Sequence, residues 1–153
     1  MSSNWPKTGF KHSPAYMVSG IPYVTSSKNN KVSTPSTPIH VQFPFVTKWI
    51  CIRSTDNASN LRPLRVGFTE NACKPGLSGS SFTIPDQNTP HNPGYGLTDP
   101  VLEIACTDIF ISSDFPGRPT EMSLIAGLTN IPRSEYPNLT GSIDGVPNFE
   151  GVG

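Results

Sequence analysis

The sequence predicts an all-β fold: a β-sandwich of about eight antiparallel strands, the strand number of a single jelly roll, with an extended N-terminal arm and a Pro/Gly-rich C-terminal tail. Three observations lead there. Apolar side chains come in short, dense runs rich in β-branched and aromatic residues. Turn chemistry separates the runs, with 17 Pro and 13 Gly among 153 residues. No stretch makes a convincing helix. Short apolar runs punctuated by turn residues describe a sandwich or barrel, and eight strands in two sheets fit a jelly roll or a sandwich of another topology equally well. The length suits one domain with a sizeable core. Charged residues make up only 14% of the chain, and the formal net charge is zero. Disorder needs low hydrophobicity together with high net charge, so the clustered apolar residues are read as a folded core.

Residues 1–15 read as an extended arm, because Trp5-Pro6 and Ser13-Pro14 disfavour helix, and residues 16–153 read as one domain. "YMVSGIPYVT" (16–25) is a strand broken at Gly20 and Pro22. In residues 39–43, Ile39, Val41 and Phe43 alternate with His40 and Gln42, the period of a half-buried strand. Pro44 follows, and a proline cannot donate to a ladder. Beyond it the apolar phase shifts, with Ile50 and Ile52 on one face and Trp49 and Cys51 on the other. The stretch is therefore expected to turn a corner between sheets at Pro44, with Phe43 and Phe45 plugging one end of the core. Both faces of 48–53 are apolar, as in a strand covered on two sides. "PLRVGFT" (63–69) alternates Leu64, Val66 and Phe68 with Arg65, Gly67 and Thr69, and a short "FTI" follows the loop "KPGLSGSS". Residues 86–100 read as a long loop, "VLEIACTDIFIS" (101–112) as two strands or one bent at Thr107, "MSLIAGLT" (122–129) as the last strand, and 131–153 as the tail.

Zero net charge hides an asymmetry. Residues 1–76 hold nine Lys/Arg and two Asp/Glu, and residues 77–153 hold two and nine. Asp56 is the first acid. Such an asymmetry marks either a tail that meets an anionic partner or halves that a fold interleaves in space. Cys51, Cys73 and Cys106 are odd in number and widely spaced, which implies neither a disulfide framework nor a zinc site. Cys51 and Cys106 lie within apolar runs and are expected as buried thiols in a reducing compartment. No apolar run approaches the ~20 residues that span a bilayer, so no transmembrane segment is expected, and the N-terminal residues lack a secretion-signal core.

Chemistry is sparse. "GLSGS" (76–80) ends in Ser80 where a nucleophile elbow needs glycine, and no helix follows it. His12, His40 and His91 have no metal-ligand spacing. His40 pairs with a carboxylate or is simply polar on the wet face of a strand. Asp108 and Asp114 share a face of a regular strand, the arrangement of either a glycosidase pair or a solvated surface. Asn57-Ala58-Ser59 and Asn138-Leu139-Thr140 match the glycosylation acceptor pattern. No enzyme is expected, and no catalytic, cofactor-binding or metal-binding residue is assigned.

The strand segments also carry a resemblance. "SGIPYVTSS", "PIHVQFPFVTKWICIRST", "LRVGFTENA" and "MSLIAGLTNIP…NLTGS…GVG", in that order from about Ser19 onward, together resemble the penton (vertex) capsid proteins of large icosahedral double-stranded DNA viruses of the algal-virus type. The resemblance implies a single jelly roll whose five copies close each five-fold vertex of the virion, beside a double-jelly-roll major capsid protein and minor capsid proteins, with no cofactor and no sequence-specific nucleic acid. The arm would then make subunit or capsid contacts through Trp5, Lys7, Phe10 and Lys11, while Phe43, Pro44 and Phe45 form the core corner. The alternative is a β-sandwich glycan- or receptor-binding module of the lectin or fibre-head type, using the loop around Asn92 and Tyr95.

Overall fold

The computed structural model describes residues 20–27, 37–54, 64–74, 81–84, 101–113, 121–137, 142–143 and 146–147. The strands are β1 (Ile21–Ser26), β2 (Ile39–Gln42), β3 (Phe45–Ser54), β4 (Leu64–Gly67), β5 (Ser81–Ile84), β6 (Val101–Leu102), β7 (Asp108–Ser113) and β8 (Met122–Pro132). Two-residue strands β9 (Ser142–Ile143) and β10 (Val146–Pro147) pair with each other. Short 3-10 turns at Asn71–Cys73 and Arg133–Glu135 are the helical elements among the described residues.

Two four-stranded antiparallel sheets result, in the orders β1-β8-β3-β6 and β2-β7-β4-β5. The pairing runs from the outside inward. The first strand meets the eighth, the second the seventh, the third the sixth and the fourth the fifth. The β3–β8 and β4–β7 ladders then join these pairs into the two sheets. One core lies between them. Ile50 and Ile52 of β3 and Met122, Leu124, Ala126 and Leu128 of β8 meet Val41 of β2, Leu64 and Val66 of β4, and Ile109 and Ile111 of β7. The period-2 alternation of these residues decides which face of each strand is dry.

The chain passes from one sheet to the other across Phe43 and Pro44, between β2 and β3. Phe43 is fully buried and meets Tyr23 edge-on, with ring centroids 5.1 Å apart; Phe45 packs partly buried against the same core. The 101–112 stretch is two strands in different sheets, β6 and β7, joined by an extended crossing. Pro22 is accommodated in β1 because β1 is the edge strand of its sheet.

Three expectations need correction. The cover on two sides expected for 48–53 is limited: Cys51 on the second face of β3 is buried, but Ile125 on the neighbouring β8 and Val24 on the edge strand β1 are 42% and 70% exposed. The last strand does not stop at residue 129, and the segment after it is not all tail: β8 runs to Pro132 and continues into an ordered turn. Asp108 is not on a wet strand face, being only 7% exposed. The expected arm at 1–15, the loop at 86–100, Asn57, Asn138, His12, His91 and Asp114 lie outside the described residues.

Gly127 is required by packing. The Trp49 indole lies across β8 at this position, and a Cβ on Gly127 would collide with Nε1 and Cε2 of that ring. Gly127→Ala is expected to displace Trp49 and cost about 1–3 kcal/mol, read by denaturant unfolding together with a shift in tryptophan emission. Phe43→Ala is expected to cost about 3–5 kcal/mol, whereas Pro44→Ala should fold; a near-neutral Phe43→Ala would show that the ring does not stabilise the core.

Candidate functional site

The residues richest in polar contacts gather where the chain changes sheets. A crossing strand leaves its ladder, so its backbone groups need other partners. Here two crossings supply them to each other. The Phe43 N–H donates to the Thr107 carbonyl (2.9 Å), and the Thr47 N–H donates to the Cys106 carbonyl (2.9 Å). The Thr47 hydroxyl donates to the Ile104 carbonyl at 2.7 Å and accepts from the Cys106 N–H at 2.9 Å. β3 is irregular over this stretch, with register shifts between Phe45 and Thr47 and between Thr47 and Trp49. The Thr129 hydroxyl, from β8, donates to the Val46 carbonyl at 2.8 Å.

The segment after β8 straps this junction. The Arg133 N–H donates to the Pro44 carbonyl at 3.3 Å, and its guanidinium donates to the Thr107 carbonyl (3.0 Å) and to Oδ1 of Asp108 (2.7 Å). The Tyr136 hydroxyl donates to the Ala105 carbonyl, and its ring packs with Ala105 against buried Val46 and Ile131. Asp108 is the electrostatic centre. Oδ1 also lies 2.7 Å from Nε2 of His40, and Oδ2 accepts from the Thr107 hydroxyl at 2.9 Å. A carboxylate only accepts, so the His40 nitrogen facing it carries the proton. The His40 ring stacks on Phe110, with centroids 4.2 Å apart and planes 10° from parallel. Burial pushes the Asp108 carboxyl up, but hydrogen bonds from Arg133, His40 and Thr107 outweigh it and hold the group below its ordinary 3.8.

Chemically, a carboxylate that orients an imidazole is one part of an acid–base site. In this cluster the neighbouring hydroxyl, Thr107, is itself committed to Asp108. The three cysteines are buried and free, and burial pushes the Cys73 and Cys106 thiols up to about 11, away from the reactive thiolate. No group of three or more His, Cys, Asp or Glu able to hold a metal occurs among the described residues. No helix among them is long and apolar enough to cross a membrane. The cluster thus works as a clasp: it joins β2, β7 and the post-β8 turn through one carboxylate.

Of the residues singled out from sequence, Phe43, Pro44 and Phe45 lie at this junction. Trp5, Lys7, Phe10, Lys11, Asn92 and Tyr95 fall outside the described residues. The His40 carboxylate partner is Asp108. Arg133, Thr47 and Tyr136 escaped sequence reading, since the side-chain partners named above lie 25 to 59 positions away and no local pattern marks them. Comparison with protein families, characterised proteins and solved structures finds no match to this chain.

Because the folded-state value of Asp108 is lowered, its stabilisation is complete above the ordinary carboxyl range and is lost as pH falls through the folded value. Wild-type protein is expected to lose stability on acidification below about pH 4. Asp108→Asn should flatten that dependence and cost about 1–3 kcal/mol at neutral pH. Urea unfolding from pH 7 down to pH 3 checks both, and an unchanged acid limb in Asp108→Asn would show that the clasp is not the titrating element.

Proposed function

We propose that this chain is a structural capsid protein, a single jelly roll that closes the five-fold vertices of an icosahedral virion as a homopentamer. One observation supports the fold part of this reading more than any other. The eight strands pair as one long antiparallel hairpin rolled on itself, first with eighth through to fourth with fifth. Two four-stranded sheets with their strands interleaved in this way are what a double Greek key would give, which supports the jelly-roll reading. The capsid role rests on the resemblance of the strand segments to vertex proteins, since a jelly roll by itself serves many functions.

The physical character of the chain fits that role. A shell component must present a rigid surface whose edges do not pair indiscriminately. The clasp fixes the end of the sandwich where both crossings lie, and β2 and β5, the edge strands of the second sheet, are four residues long each. Partners under this reading are further copies of the chain, a double-jelly-roll major capsid protein and minor capsid proteins; the location is the virion vertex, with assembly in the host cell.

Native mass spectrometry of the purified chain is expected to show pentamers, and labelled protein is expected at five-fold vertices of intact particles. Deleting residues 1–15 should leave the unfolding transition in place while reducing incorporation into particles. A stable monomer retained on a glycan array would point instead to a receptor-binding module.

A further inference from the structure

The outer faces of the two sheets differ. On β7, Phe110 and Ser112 alternate with the core residues Ile109 and Ile111, yet are only 5% and 0% exposed. The 3-10 turn covers that face: the Cys73 thiol donates to the Phe110 carbonyl at 3.2 Å, and the Ser112 hydroxyl donates to the Cys73 carbonyl at 3.2 Å. A Cβ on Gly67 would lie 2.5 Å from Cβ of Ala72, so β4 admits this turn only with glycine there. His40 covers the next position by stacking on Phe110. No such cover lies over the outer face of β1-β8-β3-β6 among the described residues. Val24, Ile125 and Val101 are 70%, 42% and 58% exposed.

These residues form one line. Val24 stands opposite Ile125, Ile125 opposite Cys51, and Cys51 opposite Val101, so an apolar row crosses all four strands. On one side of it lies the polar row Ser26, Ser123 and Arg53. On the other lie Pro22, Gly127 and Trp49, with exposed Glu103 two residues after Val101. A hollow of about 280 Å³ lined by Val24, Cys51, Arg53, Ser123 and Ile125 opens between the first two rows.

We propose that this face pairs with the same face of a second copy, about a two-fold axis lying in the contact plane along the apolar row. That axis sets each row residue against its own counterpart, as an isologous interface requires. It also exchanges the flanking rows, which brings Arg53 of one copy over the Trp49 indole and beside Glu103 of the other. A guanidinium on an indole face next to a carboxylate is attractive on both counts, and the arrangement occurs twice per pair. The partner is a second copy because the two flanks complement each other in charge: cation against indole and acid.

The size sets the strength. Four strands spaced about 4.8 Å apart and three rows of side chains give roughly 400 Å² per copy, about half of a standard interface. The pair is therefore weak and dissociates on dilution. It is separate from the proposed five-fold ring, whose contacts repeat head to tail.

Sedimentation velocity from about 10 μM to about 1 mM, the range of a weak complex, is expected to show concentration-dependent doubling of the smallest species. Ile125→Glu should weaken it at least about tenfold without altering the unfolding transition. Arg53→Glu should weaken it too, and adding Glu103→Arg should restore it. Val24→Cys should cross-link to its own counterpart through a short bismaleimide spacer, because facing sheets lie about 10 Å apart, too far for a direct disulfide. No doubling over this range, or doubling unaffected by Ile125→Glu, overturns the proposal. So does a Val24→Cys thiol shielded from labelling in the monomer, since the chain would then cover its own face. Pentamers that survive Ile125→Glu without doubling overturn the pairing and leave the ring intact; doubling without pentamers supports the pairing and counts against the ring.

Discussion

A chain rolled into two facing sheets must cross between them, and each crossing strips backbone groups of their ladder partners. Here the crossing at Phe43–Pro44 and the crossing at Ile104–Thr107 lie side by side and satisfy each other. The Phe43 and Thr47 N–H groups find the Thr107 and Cys106 carbonyls, and Pro44, with no N–H of its own, adds no donor to the demand. What remains is the Pro44 carbonyl, which the Arg133 N–H takes from the strap after β8. The same arginine brings a charge to the sandwich end, and Asp108 answers it. A carboxylate this buried is tolerated only with several donors, and Asp108 has three.

This junction positions much else. β7 begins at Asp108, so the clasp anchors the start of the strand that joins β2 to β4. Phe43, fixed by its N–H to Thr107, is held where its ring closes the core against Tyr23. His40 is held from two sides, by Asp108 and by Phe110, and so serves as a cover for the sheet as much as a charge partner. Covering one outer face with the 71–73 turn and His40, while leaving an apolar row on the other, gives the molecule two unlike sides. Two unlike sides suit a building block that meets neighbours in a fixed orientation, whichever neighbours those are.

The main strands are legible in the sequence, because alternation and turn residues act over a few positions. Val41 and Phe43, Ile50 and Ile52, Leu64 and Val66, and Leu124 and Ala126 all announce their buried face through period 2 alone. The phase shift across Pro44 marks the place where the chain changes sheets, since a side chain cannot keep its face when its strand changes layer. The remaining features depend on contacts between distant segments. Whether the second apolar face of β3 is covered depends on what lies across the sheet: Cys51 is buried there, while Ile125 on β8 and Val24 on β1 stay exposed. Whether Asp108 is wet depends on Arg133 and His40, which are 25 and 68 positions away and reach it only once the two sheets have formed. Local pattern records which way a side chain points; which charge, turn or second strand it then meets is set by loop closures that no short window of sequence contains.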